Sequence, residues 1–204
     1  NNINKDEIIL ECGCSGGHMT KYLWEKGCIV DAVDIDPVIL KRVRPYARKV
    51  IAADLDDPLF RKSLLRKCYD VICFGDTLEH LKDPEQCLKE LAPSLKRDGR
   101  IVVSLPNVAH GSVRLKLFYG RFQRVESGIL DRTHLQFYDF ESALDMFDRS
   151  GFAVDEVYAV TFELDHPVSG INLSDYPETL IQILSDDETA TDFQYVFIAR
   201  PIKN

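Results

Sequence analysis

Short apolar runs recur along this chain at intervals that suit strands alternating with helices. Residues 8–10, 28–33, 50–53, 69–74 and 100–105 are nearly continuous in Ile, Val, Leu, Cys, Ala and Phe, the pattern of parallel strands buried on both faces. Between them the apolar spacing loosens to three and four. Met19, Tyr22, Leu23 and Trp24 predict a helix stopped by Gly27, and residues 38–43 a short helix behind Pro37. A further helix is expected over 59–65. Cys87, Leu88, Leu91 and Leu95 form one face of another, opened by Asp83-Pro84, and Lys96-Arg97-Asp98-Gly99 reads as a turn. This alternation predicts an α/β fold built on a doubly wound, mostly parallel sheet.

Residues 106–140 break the rhythm. Val113, Leu117 and Phe118 keep helical spacing, and a loop rich in hydrogen-bonding groups follows. A long segment after a strand's carboxyl end is typically a cover over a substrate. Residues 140–150 then form a helix ended by Gly151, 154–162 a sixth strand and 193–199 a seventh, with one helix expected over 177–184. The whole of 1–204 fits a single domain with a full core.

The first strand runs into Glu11-Cys12-Gly13-Cys14-Ser15-Gly16-Gly17, and the second ends on Asp34-Ile35-Asp36. A glycine turn between strand and helix lets backbone approach a ligand with its N–H groups facing it. A carboxylate at the tip of the next strand suits a ribose diol. A dinucleotide fingerprint fails here, because Ser15 and His18 stand where its second and third glycines belong. The run also satisfies G-x-S-x-G, but that nucleophile elbow belongs deep within a hydrolase fold rather than on its first visible strand.

The loop resembles the E/D-x-G-x-G-x-G loop of class I S-adenosylmethionine (SAM) methyltransferases: Glu11, Gly13 and Gly17 match, and Ser15 replaces the middle glycine, slightly restricting the backbone there. The similarity extends over residues 8–107 and includes Asp76-Thr77-Leu78-Glu79-His80-Leu81. The 106–140 segment is similar to ubiquinone-type O-methyltransferases and to methyltransferases encoded near glycosyltransferases. The resemblance implies a seven-stranded Rossmann-like sheet with an antiparallel last strand, SAM as cofactor and S-adenosylhomocysteine (SAH) as product. It also implies a covering segment ahead of the first strand. The implied cofactor residues are Glu11, Gly13, Cys14, Ser15, Gly17, Asp34, Ile35, Asp54, Leu55, Gly75 and Asp76. Asp54 and Leu55 match the adenine-binding position, although Asp54 also suits a cap on the helix that follows.

The formal charge of −8 argues against nucleic acid as a partner. No run is long and apolar enough to span a membrane. Cys12, Cys14, Cys28, Cys68, Cys73 and Cys87 show no paired metal spacing, and reduced thiols point to the cytoplasm. Residues 139–192 carry fourteen carboxylates against Arg149 alone, whereas Arg114, Lys116, Arg121, Arg124 and Arg132 cluster upstream. That cluster leans towards an anionic small-molecule acceptor such as a sugar derivative or a quinone precursor. Deprotonating an acceptor hydroxyl calls for a base. His134 is the first candidate with Asp131 fixing its tautomer, His80 the second, and His110 a third. A metal held by Glu79, His80 and Asp131 is set aside, because spacing alone fixes no such geometry. A silent SAM-binding module and a nicotinamide oxidoreductase remain as alternatives.

Overall fold

The computed structural model describes residues 3–64 and 68–203. Seven strands, β1 (Ile8–Cys12), β2 (Ile29–Asp34), β3 (Lys49–Ala52), β4 (Tyr69–Gly75), β5 (Leu95–Pro106), β6 (Phe152–Thr161) and β7 (Asp192–Pro201), form one sheet in the order β3-β2-β1-β4-β5-β7-β6. β1 pairs in parallel with β2 and β4, and β4 with β5, while β7 lies antiparallel between β5 and β6. The direction of β7, which periodicity leaves open, is the one implied by the family resemblance.

Alternation along the strands separates two buried faces. Leu10, Ile72, Phe74, Ile101 and Val103 point into a core with Cys87, Leu88 and Leu91 of α4 (Pro84–Leu91) and Ala143, Met146 and Phe147 of α6 (Phe140–Arg149). Ile9, Val30, Val71 and Cys73 face the other way, against Leu23 of α1 (His18–Glu25). Ala32 packs with Leu40 and Val43 of the short α2 (Leu40–Val43). Each such side chain removed from water contributes roughly 1.5–3 kcal/mol, so the strand tips are held by a core that spans both faces.

Three expectations shift. α3 is Pro58–Ser63, capped by the Asp57 carboxylate accepting from Leu59 N–H at 2.9 Å, so Asp54 is not its cap; Leu65, the expected end of that helix, lies outside the described residues. The expected turn at Lys96-Gly99 is a bulge within β5. From Tyr69 to Val71 β4 advances two residues while its partner advances five, Leu95 to Arg100. Last, α5 (Gly111–Phe118) does not cover the sheet alone. Its Leu115 packs with Leu164, Leu184 and Ala190, from the segment between β6 and β7 that carries α7 (Glu178–Ser185). Among the described residues, no helix is long and apolar enough to cross a membrane.

Candidate active site

β1 delivers the chain into its tight turn at Cys12. Gly13 has φ +74°, and a Cβ there would lie 2.5 Å from Thr77 Oγ1. Three of the turn's amides bond to β2. Gly13 and Cys14 N–H donate to the Val33 carbonyl at 2.9 and 3.1 Å, and Ser15 N–H donates to Asp34 Oδ2 at 2.8 Å. The amides of Gly13, Cys14 and Ser15 thus lock the turn against the tip of β2. Asp34 Oδ1 accepts from Asp36 N–H at 2.9 Å, so turn and carboxylate are set as one unit.

Around that unit lies a cleft of 490 Å³, within the usual range of small-molecule sites. It is lined by Gly13, Ser15, Asp34, Ile35, Asp54, Leu55 and Asp76 among the expected cofactor residues, and by His80. Ile35 is 68 % exposed, an apolar side chain left open at the cleft beside Ala53 and Leu55. Asp54 Oδ1 accepts from Asp56 N–H at 2.8 Å, and the Asp56 carboxylate holds Lys82 N–H. Asp76 takes a left-handed φ of +49°, accepts from Ser104 Oγ at 2.9 Å and is also held by Gln194 Nε2. Three strand ends thereby meet at one carboxylate.

Four expected cofactor residues do not line the cleft. Glu11 is 1 % exposed and accepts from Thr20 Oγ1 at 2.6 Å, tying β1 to α1, and burial pushes its carboxyl up to about 7. Cys14 is buried with Ala32, Leu40 and Val43; Gly17, at φ +78°, is the cap of α1; and Gly75 ends β4 beside Met19. Each of the four also supports the turn or the strand tip beside it. Lys82, Leu135 and Thr77, which spacing did not single out, line the cleft; Leu135 is carried in by Leu135 and Gln136 N–H donating to the Glu79 carbonyl.

The catalytic candidates part company. Asp131 Oδ1 accepts from Thr133 N–H and Oγ1 at 2.7 and 2.5 Å, and no bond to the His134 ring forms. Instead His134 Nδ1 lies 3.0 Å from the Ile129 carbonyl. A carbonyl only accepts, so Nδ1 carries the proton and Nε2 presents a lone pair. The same argument holds for His80, whose Nδ1 is 3.2 Å from the Thr133 carbonyl. The two rings meet edge to face at 4.8 Å. Beside them Glu79 is 1 % exposed, and neither of its oxygens has a hydrogen-bond partner among the described residues. Burial pushes its carboxyl up to about 8 and draws the His134 imidazole below its ordinary value. Glu79, His80 and His134 offer ligand atoms all within 4.8 Å of one another, a set that includes His134 where spacing had suggested Asp131. His110 is excluded as a base. It is fully buried, donates from Nε2 to the Phe162 carbonyl, and accepts at Nδ1 from Ser112 Oγ at 2.8 Å.

Comparison with known proteins bears on the family and the fold. The family model described as a methyltransferase domain matches residues 1–157. The chain is 27 % identical over 107 residues to a ubiquinone biosynthesis O-methyltransferase of Coxiella burnetii, covering 50 % of this chain and 45 % of that protein. It thus spans about half the length of the curated relatives it matches. A SAM-dependent methyltransferase of Methanosarcina mazei superposes with a TM-score of 0.67 at 15 % identity, covering 99 % of this chain and 95 % of that one. One from Archaeoglobus fulgidus gives 0.66 at 21 %, covering 95 % and 86 %. At these identities the superpositions speak for the fold, and the sequence match speaks for the family. The chain belongs to the class I SAM-dependent methyltransferase family and is related to the ubiquinone O-methyltransferase-like enzymes.

Proposed function

We propose that this protein transfers a methyl group from SAM to a hydroxyl of a small molecule. The observation that carries the reading is the single cleft that joins the Asp34 carboxylate, the exposed Ile35, Asp54-Leu55 and His80. Asp34 suits a ribose diol, since each of its oxygens accepts one amide and keeps a lone pair. Ile35 and Leu55 suit the faces of an adenine, with the second Asp54 oxygen free to accept its amino group. When bound, SAM supplies a methyl already activated for displacement.

The chain's own task is then alignment and proton removal. His80 lines the cleft and presents a bare Nε2, so we assign it the acceptor's proton; His134, buried behind it, holds the edge of its ring. Asp131 fixes the loop through Thr133 instead of acting on a histidine. A second reading of the same groups has support in the unpartnered Glu79 carboxylate. With one ring nitrogen from each of His80 and His134 it is a fitting donor set for a divalent cation, which would polarise the acceptor oxygen. The names of the curated relatives favour a phenolic acceptor. All six cysteines are free thiols, which supports a reducing compartment such as the cytoplasm.

Calorimetry with SAH tests the reading. Wild type is expected to bind, and Asp34→Ala to lose at least about tenfold, near 1.4 kcal/mol. A protein that binds NAD(H) and not SAH would be an oxidoreductase, and the proposal would fall. Turnover on a panel of hydroxybenzoates separates an enzyme from a silent module. There, His80→Gln is expected to keep SAH affinity and lose about 10²-fold in rate; full activity in that variant removes His80 from the chemistry. Loss of turnover on adding EDTA, restored by Mg²⁺ or Mn²⁺, would establish the cation.

A further inference from the structure

A second cavity, of 420 Å³, opens between α5, the loop after it and the segment that follows β6. It shares no lining residue with the cofactor cleft. Lys116 of α5 enters it half-buried, donating from Nζ to the Ser169 carbonyl at 2.6 Å, and no ion pair joins it to a carboxylate among the described residues. Desolvation draws its ammonium below the ordinary lysine range. Ser169 is 7 % exposed, and its Oγ has no hydrogen-bond partner among the described residues. Arg121 lines the same cavity and lies over the Tyr119 ring at 5.7 Å.

The remaining basic residues of this segment are engaged elsewhere. Arg114 binds Asp187 at 2.8 Å, Arg124 binds the carbonyls of Asp131 and His134, and Arg132 pairs with Glu126 at 2.8 Å. Of the two carboxylates at the cavity, Glu126 is neutralised by that pair, and Asp175 stands at a 3₁₀ turn. A half-buried cation satisfied only by a neutral carbonyl, next to an unmet hydroxyl, calls for an anionic oxygen.

We infer that this cavity is a binding site for a small anion, a carboxylate or a phosphate, separate from the cleft in which the methyl group would be moved. Lys116 and Arg121 supply its counter-charge and Ser169 donates to it. One layer of groups divides it from the cofactor cleft: the carbonyl of Ile129, which lines the cavity, accepts from His134 Nδ1–H, and His134 touches His80.

The test titrates the full ¹⁵N-labelled chain separately with 3,4-dihydroxybenzoate and with inorganic phosphate. Wild type, Lys116→Met and Ser169→Ala are compared, and SAH affinity is measured on each. Saturable shifts at the Ser169 and Ile129 amides are expected with at least one anion, and which one responds names the group. Lys116→Met is expected to weaken that anion about tenfold or more at unchanged SAH affinity. Ser169→Ala, which removes one hydroxyl, should weaken it severalfold and serves if Lys116→Met fails to fold. Absence of binding tighter than about 10 mM for both anions, or equal affinity in the variants, overturns the site.

Discussion

Ser15 stands in the left-handed region at φ +43° with its N–H fixed to Asp34, a conformation that costs an L-residue on the order of 1 kcal/mol. Ser15→Gly relieves this strain, and thermal unfolding is expected to show a Tm raised by a few degrees; a lowered Tm would mean that the hydroxyl has an unseen role. Glu11 shows a cost of another kind. Its carboxyl sits near 7 in the fold against 4.5 in the open chain, because burial outweighs the bond from Thr20. Below pH 4.5 both states hold the proton and nothing is lost. As pH rises towards 7 the unfolded state releases it first, and stability drains away by on the order of 3 kcal/mol. Glu11→Gln is expected to flatten the fall of Tm between pH 5 and 7. Buried Glu79 contributes a slope of the same sign, so a residual decline should persist.

At the scale of elements, the Asp54-Leu55 side of the cleft depends on a joint between helices. Arg61 of α3, 5 % exposed, bonds Glu90 of α4 at 2.6 Å and the Leu55 carbonyl at 2.5 Å. Arg61→Ala leaves that carbonyl without its donor; a loss of about 2 kcal/mol in denaturant unfolding and a weaker SAH affinity are expected together. A variant that loses stability at unchanged affinity would uncouple joint from cleft. The parallel strands were legible as apolar runs because both of their faces are buried, and the tips of β1, β2 and β3 carried their site residues with them. Less legible was whatever depends on who bonds whom. Asp131 and His134 have the spacing of a pair, but the Thr133 amide and hydroxyl are nearer partners for the carboxylate. Residues 162–191 gave no warning of joining the cover, because Leu164 and Leu184 find Leu115 only in three dimensions. The bulge at Lys96-Gly99 has the composition of a turn and differs from one only in rejoining the same strand pairing.

Over the whole molecule, the working groups collect at one end of the sheet while the opposite end closes with ion pairs, Arg100 with Glu7 at 3.0 Å and Lys96 with Asp70 at 2.7 Å. The strand order has a consequence for how the molecule comes into being. β6 bonds to no strand except β7, and β7 enters between it and β5, with Val103 opposite Phe197 and Val157 opposite the same residue. On the ribosome, β1 to β5 can assemble as they emerge, whereas β6 waits with both edges bare until β7 has left the exit tunnel. Contacts so distant in sequence form late and leave strands open to wrong partners. A chain stopped at residue 191 is expected to accumulate in the insoluble fraction, and co-expression of the missing strand as a separate peptide to recover soluble protein. Synthesis therefore carries a hazard in the interval between the emergence of β6 and that of β7.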